Sequence, residues 1–132
     1  MTTPLSIALD LHHALSAGRS GAELGSLFTD DAFTITHPNA VSPRGGRADR
    51  AQMLAASQAG SALLERQSYE VVSALEVGSM VVLRVVWTGV VARDRGPFRA
   101  GQVLKAAIAQ FIDTDGGRIR SIETYDCYEP LD

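Results

Sequence analysis

The chain has 132 residues, 45% of them apolar and 20% charged, with a formal net charge of −3, a balance that fits one globular domain over residues 1–132 and excludes disorder. An acidic chain offers no basic face to nucleic acid or anionic membrane, and no apolar run is long enough to span a bilayer. One cysteine, Cys127, forms no internal disulfide, and Asp10 interrupts an N-terminal apolar stretch that lacks a basic leader, so a soluble cytoplasmic protein is expected.

Thr3-Pro4 reads as an N-cap followed by proline in the first helical turn, where a missing N–H costs nothing. Leu5, Ala8, Leu11 and Leu15 follow at helical spacing, and Gly18 supplies the stop. Ser20 with Glu23 has the form of a capping box and opens a short second helix through Leu24 and Leu27, which Asp30 and Asp31 break. Phe33 to His37 alternates apolar and polar, as a half-buried strand does, and Pro38-Asn39 ends it. After a loop rich in proline and glycine, a third helix is expected from about Ala48 to Gln58, capped by Gly60.

The second half changes character. Segments 65–77, 79–92, 101–113 and 118–128 are rich in Val, Ile, Tyr and Phe and are separated by turn signals, predicting an antiparallel meander. In the second of these, Val81, Leu83, Val85 and Trp87 form a wholly apolar face, and Met80, Val82, Val86 and Val90 a second one broken only by Arg84. A sheet apolar on both sides must be covered on both. Three short helices close one side, so a second copy of the chain is expected over part of the other, making a homodimer. The fold class is α+β: three N-terminal helices packed on a strongly twisted antiparallel sheet that forms a cone-shaped half-barrel with an internal pocket.

This order, with the stretches LFTDDAFTITHP (Leu27 to Pro38), GGRADRAQML and DGGRIRSIETYDCYEP (Asp115 to Pro130), resembles the nuclear transport factor 2-like superfamily over nearly the whole chain. That group includes SnoaL-like polyketide cyclases, ketosteroid isomerases and limonene epoxide hydrolases. The resemblance implies a cone whose open end admits a small, mostly apolar molecule, with no cofactor. In the steroid isomerase branch a similar strand ends in Asp-Pro, and the matching place here is His37-Pro38. That branch also uses a tyrosine on an early helix, and none occurs here before Tyr69. The epoxide hydrolase branch places an Arg and an Asp two apart on one strand, but the residue two past Arg84 is Val86. Neither named activity is therefore expected.

His37 shares the parity of Phe33 and Ile35, so all three are expected to point into the cone, with Thr34 and Thr36 away from it. An inward imidazole at a pocket mouth is a candidate general acid or base. Asp126, among Tyr125, Cys127 and Tyr128, is a carboxylate that needs a partner if it is buried, and His37 and Arg84 are the candidates. With His37 it would form a dyad; with Arg84, an ion pair. Arg84, Trp87, Tyr125 and Tyr128, with Phe33 and Ile35, are candidate substrate-binding residues. Cys127 and Phe111 read as core, and the adjacent His12 and His13 as partly exposed and structural. No metal-ligand spacing or phosphate-binding loop is present.

The expectation is a small-molecule pocket protein, an isomerase- or cyclase-type enzyme with His37 and Asp126 as acid and base. The alternatives are a pocket that binds without catalysis and a dimeric interaction module.

Overall fold

The computed structural model describes residues 2–131. Helix α1 (Pro4–Ser16) starts where Thr3 and Ser6 cap one another, each side chain accepting the other's backbone N–H. It buries Ile7, Ala8, Leu11 and His12. The segment after Gly18 is a 3-10 turn, Gly21–Leu27, and Ser20 makes no side-chain cap bond. The box expected of Ser20 and Glu23 does not form. Instead the Gly21 N–H donates to Ser57 Oγ (2.8 Å) of a later helix, so a distant element supplies the acceptor.

Strand β1 (Phe28–Thr36) follows at once and starts five residues before the alternating stretch. Asp30 and Asp31 therefore lie within it, exposed, in the region where its pairing is irregular. Gly45 has φ +63°, and a Cβ there would collide with the Thr36 carbonyl, so only glycine lets the chain turn so closely against β1. The turn leads into β2 (Gly46–Asp49), a short antiparallel edge strand that no sequence signal announced.

Helix α2 (Arg50–Leu63) begins two residues later than expected, capped by Asp49, whose carboxylate accepts from the Gln52 N–H (2.8 Å). Gly60 does not stop it. The helix runs three residues further and passes directly into β3 (Leu64–Val77), because Leu63 and Leu64 both pack on the core. With two strands ahead of α2, the helices are not a single N-terminal run.

The meander follows as expected: β3, β4 (Met80–Val91), β5 (Val103–Asp115) and β6 (Arg118–Tyr128). All six strands join one sheet in the order β2-β1-β6-β5-β4-β3, with β1 parallel to β6. The sheet does not close. Register shifts between Val71 and Ser73 in β3, and between Asp113 and Thr114 in β5, are irregularities of the kind that bend a sheet and tighten its twist. On the concave side, Val81, Leu83, Val85 and Trp87 of β4 join Leu104, Ala106, Ile108 and Ile112 of β5 under α1. The convex side carries Val72, Val86, Phe111 and Tyr125, between 37% and 52% exposed.

The α2 cap is an exposed local determinant of the fold. Asp49→Ala should lower stability by about 1 kcal/mol, the usual cost of losing such a cap, read as a lowered urea midpoint at unchanged slope.

Candidate functional site

Parity along β5 and β6 places the polar side chains of Gln110, Thr124 and Asp126 on the concave face. Gln110 and Thr124 are register partners, and Gln110 Nε2 lies 3.3 Å from Thr124 Oγ1. Thr124 Oγ1 lies 2.6 Å from Asp126 Oδ1. From α1, His12 descends onto the same line. Its Nε2 is 2.8 Å from Gln110 Oε1, and its Nδ1 donates to the Ala8 carbonyl (2.7 Å). His12 is thus buried, contrary to the exposed position expected of it, since a hydrogen-bonded imidazole can fill an inward helix position.

Two hollows flank this line, and both border Tyr69, Gln110 and Thr124. One, of about 350 Å³, is walled by Leu63, Leu64, Trp87, Ile108, Asp126 and Tyr128. The other, of about 280 Å³, lies under α1 and α2, with Leu11, His12, Thr34, Thr36, Met53 and Ile122 on its walls. Trp87 stands edge-on to Tyr128, ring centroids 5.9 Å apart, and its indole N–H donates to Gln67 Oε1 (2.9 Å). A Cβ at Gly89 would lie 2.6 Å from that indole, so the ring occupies space that only glycine leaves. A larger cleft of about 420 Å³ runs between α1 and the 3-10 turn, but Asp10, His13, Arg19 and Glu23 on its walls mark it as outer surface. Among the described residues, no cluster of three or more His, Cys, Asp or Glu side chains is placed to hold a metal ion.

The register expected for β1 is wrong by one residue. Thr34 and Thr36 line the inner hollow. Phe33, Ile35 and His37 belong to the opposite face: the Arg47 guanidinium sits 4.0 Å above the Phe33 ring. His37 Nε2 donates to Glu123 Oε2 (2.7 Å), and its ring stacks on Tyr125 with centroids 4.1 Å apart. The reason is that β1's inward parity is set by buried Phe28 and Ala32, whereas the convex face is also apolar enough to take Phe33 and Ile35. His37 and Asp126 therefore do not meet, and no dyad forms.

Arg84 is exposed on the convex face as well, in a shallow groove with Val86, Ala107, Tyr125 and Cys127, so the ion pair with Asp126 is also absent. Tyr125 leaves the expected pocket with it, as the neighbour of an inward Asp126 must. Cys127 and Phe111, expected in the core, are exposed. Of the expected ligand contacts, the structure brings together Trp87, Tyr128 and Asp126. Sequence reasoning missed His12, Gln110, Thr124 and Tyr69.

The inner groups are electrostatically perturbed. Burial raises the Asp126 pKa against the opposing Thr124 hydrogen bond. Burial and the neighbouring Asp126 push Tyr128 up to about 12. Tyr69 is raised by burial, then by Tyr128 and Asp126. Burial lowers His12, against its bonds to Ala8 and Gln110, and nearby His13 adds to the lowering. On the convex face the hydrogen bond from His37 holds Glu123 below the usual carboxylate range.

No family model matches the sequence, and no curated protein matches it. Solved structures do. IdmH, a candidate polyketide cyclase from Streptomyces antibioticus, superposes with a TM-score of 0.76 at 22% identity, over 93% of this chain and 91% of that one. The fold is the nuclear transport factor 2-like one, in the form shared by SnoaL-like and ketosteroid isomerase-like proteins. A hypothetical protein of ketosteroid isomerase-like fold from Catenulispora acidiphila, in complex with trimethylamine, gives 0.70 at 22% identity, over 94% and 86% of the two chains. A SnoaL-like polyketide cyclase from Agrobacterium tumefaciens gives 0.68 at 16%, over 96% and 92%. Identities this low bear on the fold alone.

A raised Asp126 pKa means that the folded state holds its proton more tightly than the unfolded chain does. That contribution to stability is complete below the ordinary aspartate pKa and is lost as pH rises through the raised value. Urea unfolding of the wild type and of Asp126→Asn should therefore diverge across that window, the wild type losing stability relative to the variant. A difference independent of pH would mean that Asp126 is not desolvated.

Proposed function

We propose that the chain binds a small, mostly apolar carbonyl compound in the hollow beside Trp87 and acts on it by proton transfer, in the manner of a cofactor-independent isomerase or cyclase. The observation that carries this reading is the placement of Asp126. Among the described residues it is the one carboxyl group on the walls of that hollow, flanked by Tyr69 and Tyr128 and bonded to Thr124. A carboxyl in such surroundings keeps its proton to a higher pH than a solvated one, which suits it to donate to a carbonyl oxygen or to protonate carbon. Having given the proton up, the carboxylate takes one from the carbon next to the carbonyl. One residue thus serves as acid and base in turn. The phenols, neutral well above pH 7, stand by as donors to developing negative charge. Candidate cyclases and cyclases among the similar folds support this reaction class.

Trp87 is the single tryptophan, so its emission reports directly on the hollow. The test pairs quenching of that emission by a panel of small cyclic ketones with NMR of α-proton exchange into D2O. Ketones that quench should exchange faster with protein than without. Asp126→Asn should slow that exchange by roughly a hundredfold or more while quenching persists. Quenching without exchange by any of the ketones would favour the binding-only reading.

We further propose that the functional unit is a homodimer joined through the convex face. Val72, Val86, Phe111 and Tyr125 leave there an apolar surface interrupted by Arg84 and the His37–Glu123 pair. Sedimentation at micromolar concentration should give twice the 14.1 kDa chain mass, and Val86→Asp should shift the protein to monomer. A wild-type monomer would remove the proposal.

A further inference from the structure

We propose that His12, Gln110 and Thr124 form a hydrogen-bond relay that couples the charge of Asp126 in one hollow to that of His12 in the other, which makes His12 a positioning residue for the Asp126 proton. The inference deepens the reading of Asp126 as the site's acid and base, but its test needs no ligand.

A backbone carbonyl only accepts, so the contact between His12 Nδ1 and the Ala8 carbonyl requires a proton on Nδ1. Everything then turns on Nε2. The Gln110 amide has one accepting and one donating end, and the Thr124 hydroxyl can donate in only one direction at a time. Two arrangements with matched ends therefore satisfy every contact between His12 and Asp126. In the first, the Gln110 amide is turned end for end from its placement in the structure, an exchange of its oxygen and nitrogen that keeps the contacts: its nitrogen donates to a bare His12 Nε2, Thr124 donates to Gln110 Oε1, and a protonated Asp126 donates to Thr124. In the second, every arrow is reversed: His12 carries protons on both nitrogens, Gln110 donates to Thr124, and Thr124 donates to an ionised Asp126. The first has two neutral ends and the second two charged ends. Neutral His12 with an ionised Asp126 sets two acceptors face to face somewhere along contacts of 2.6 to 3.3 Å, whereas charged His12 tolerates either form of Asp126, because the carbonyl oxygen of a protonated carboxyl also accepts from Thr124.

The surroundings favour the neutral arrangement. On the His12 side, Tyr69 from β3 meets the imidazole edge-on at 5.2 Å, and His13 follows it on α1. The 3-10 turn, β1 and α2 contribute Leu24, Thr34, Thr36, Met53 and Ser57 to that hollow, none of them charged. On the Asp126 side stand Tyr69, Tyr128 and, from β4, Trp87. No lysine or arginine lines either hollow among the described residues, so nothing there compensates a lone carboxylate.

The consequence for the proposed chemistry is directional. When Asp126 gives its proton to a ligand, its O–H bond breaks, a bond from that hydrogen to the ligand forms, and a carboxylate is left. The relay then holds one opposed contact until Asp126 regains a proton from ligand or water, or until His12 gains one. Neutral His12 thus drives the carboxylate to take a proton back. No proton passes through the amide.

Three NMR measurements test this. In the wild type near neutral pH, ring ¹⁵N shifts should show His12 as the Nδ1–H tautomer, the minority form of free histidine. The Asp126 side-chain ¹³C shift should show a second step at the pH where the His12 ring titrates. Last, Asp126→Asn should lower the His12 pKa by about half a pH unit or more, because a negative partner is removed. The same change made in a Gln110→Met background, which keeps length but breaks the relay, should move it by less than half as much. An Nε2–H tautomer overturns the proposal, as does an Asp126 titration without the second step. Equal shifts in the two backgrounds, or no shift in either, also overturn it, since the coupling would then be through space or absent. The wild-type readings stand even if a variant fails to fold. Normal coupling with no ketone turnover would leave the relay intact and remove only the proposed reaction.

Discussion

The structure turns on one bonded polar rung in a largely apolar sheet face, the Gln110–Thr124 pair between β5 and β6. Its neighbours along the ladder, Ile112–Ile122 on one side and Ile108–Asp126 on the other, are apolar apart from Asp126. An amide and a hydroxyl facing a core must be bonded or they destabilise it by a few kcal/mol each. Asp126 on the same strand and His12 from α1 meet that demand. The rung therefore decides how α1 docks, since His12 has to arrive above Gln110. It also divides the concave space, because a continuous line of bonded polar groups stands between the two hollows.

That division separates two chemistries. The hollow bounded by Trp87, Tyr128 and Asp126 has an apolar body and a few polar handles, the usual constitution of a small-molecule site. The hollow beneath α1 is bordered by more helical residues and carries Thr34, Thr36 and Ser57 beside His12 and the shared Tyr69, Gln110 and Thr124. The first adds Asp126 and Tyr128 to the shared groups, and the second adds His12 together with hydroxyls that only hydrogen-bond. The convex face differs from both. There the titratable pair His37–Glu123 is solvated and stacked on an exposed aromatic ring.

How much of this was legible in the sequence depended on where period two was a reliable guide. From Val81 to Trp87 the inward face is apolar at every step, and its burial follows the pattern. Trp87 was found in that regular region, and Asp126 and Tyr128 because a carboxylate among aromatic residues stands out on the last strand. In β1 the same rule inverted the strand, since Phe33 and Ile35 are apolar yet face outward, and Thr34 and Thr36 are polar yet face a hollow. Starting the strand at Phe28, and taking Phe28 and Ala32 as its anchors, would have set the parity correctly. His12 was hidden for another reason. It lies one residue after Leu11 and four after Ala8 on the same helical stripe, a spacing that marks it as inward, but a histidine there reads as surface until a partner is known. Gln110 on β5 is that partner, and no local pattern connects positions so far apart. The edge strand β2 was invisible because four residues of glycine, arginine, alanine and aspartate have no strand preference of their own.

The parallel pairing of β1 with β6 also orders events in time. Strands β3 to β6 are neighbours along the chain and can form by successive hairpin closures, each with a short loop to close. Strand β1 has only the short β2 as such a partner: its other ladder is with the strand synthesised last among the six, and β2 in turn hangs only on β1. During synthesis the other edge of β1 must therefore stay open until Arg118–Tyr128 has emerged. A late, non-local contact of this kind slows folding and prolongs the exposure of strand edges that can pair with other chains. The same pairing sets the inner hollow's far wall, so that hollow is complete only when the last strand is in place.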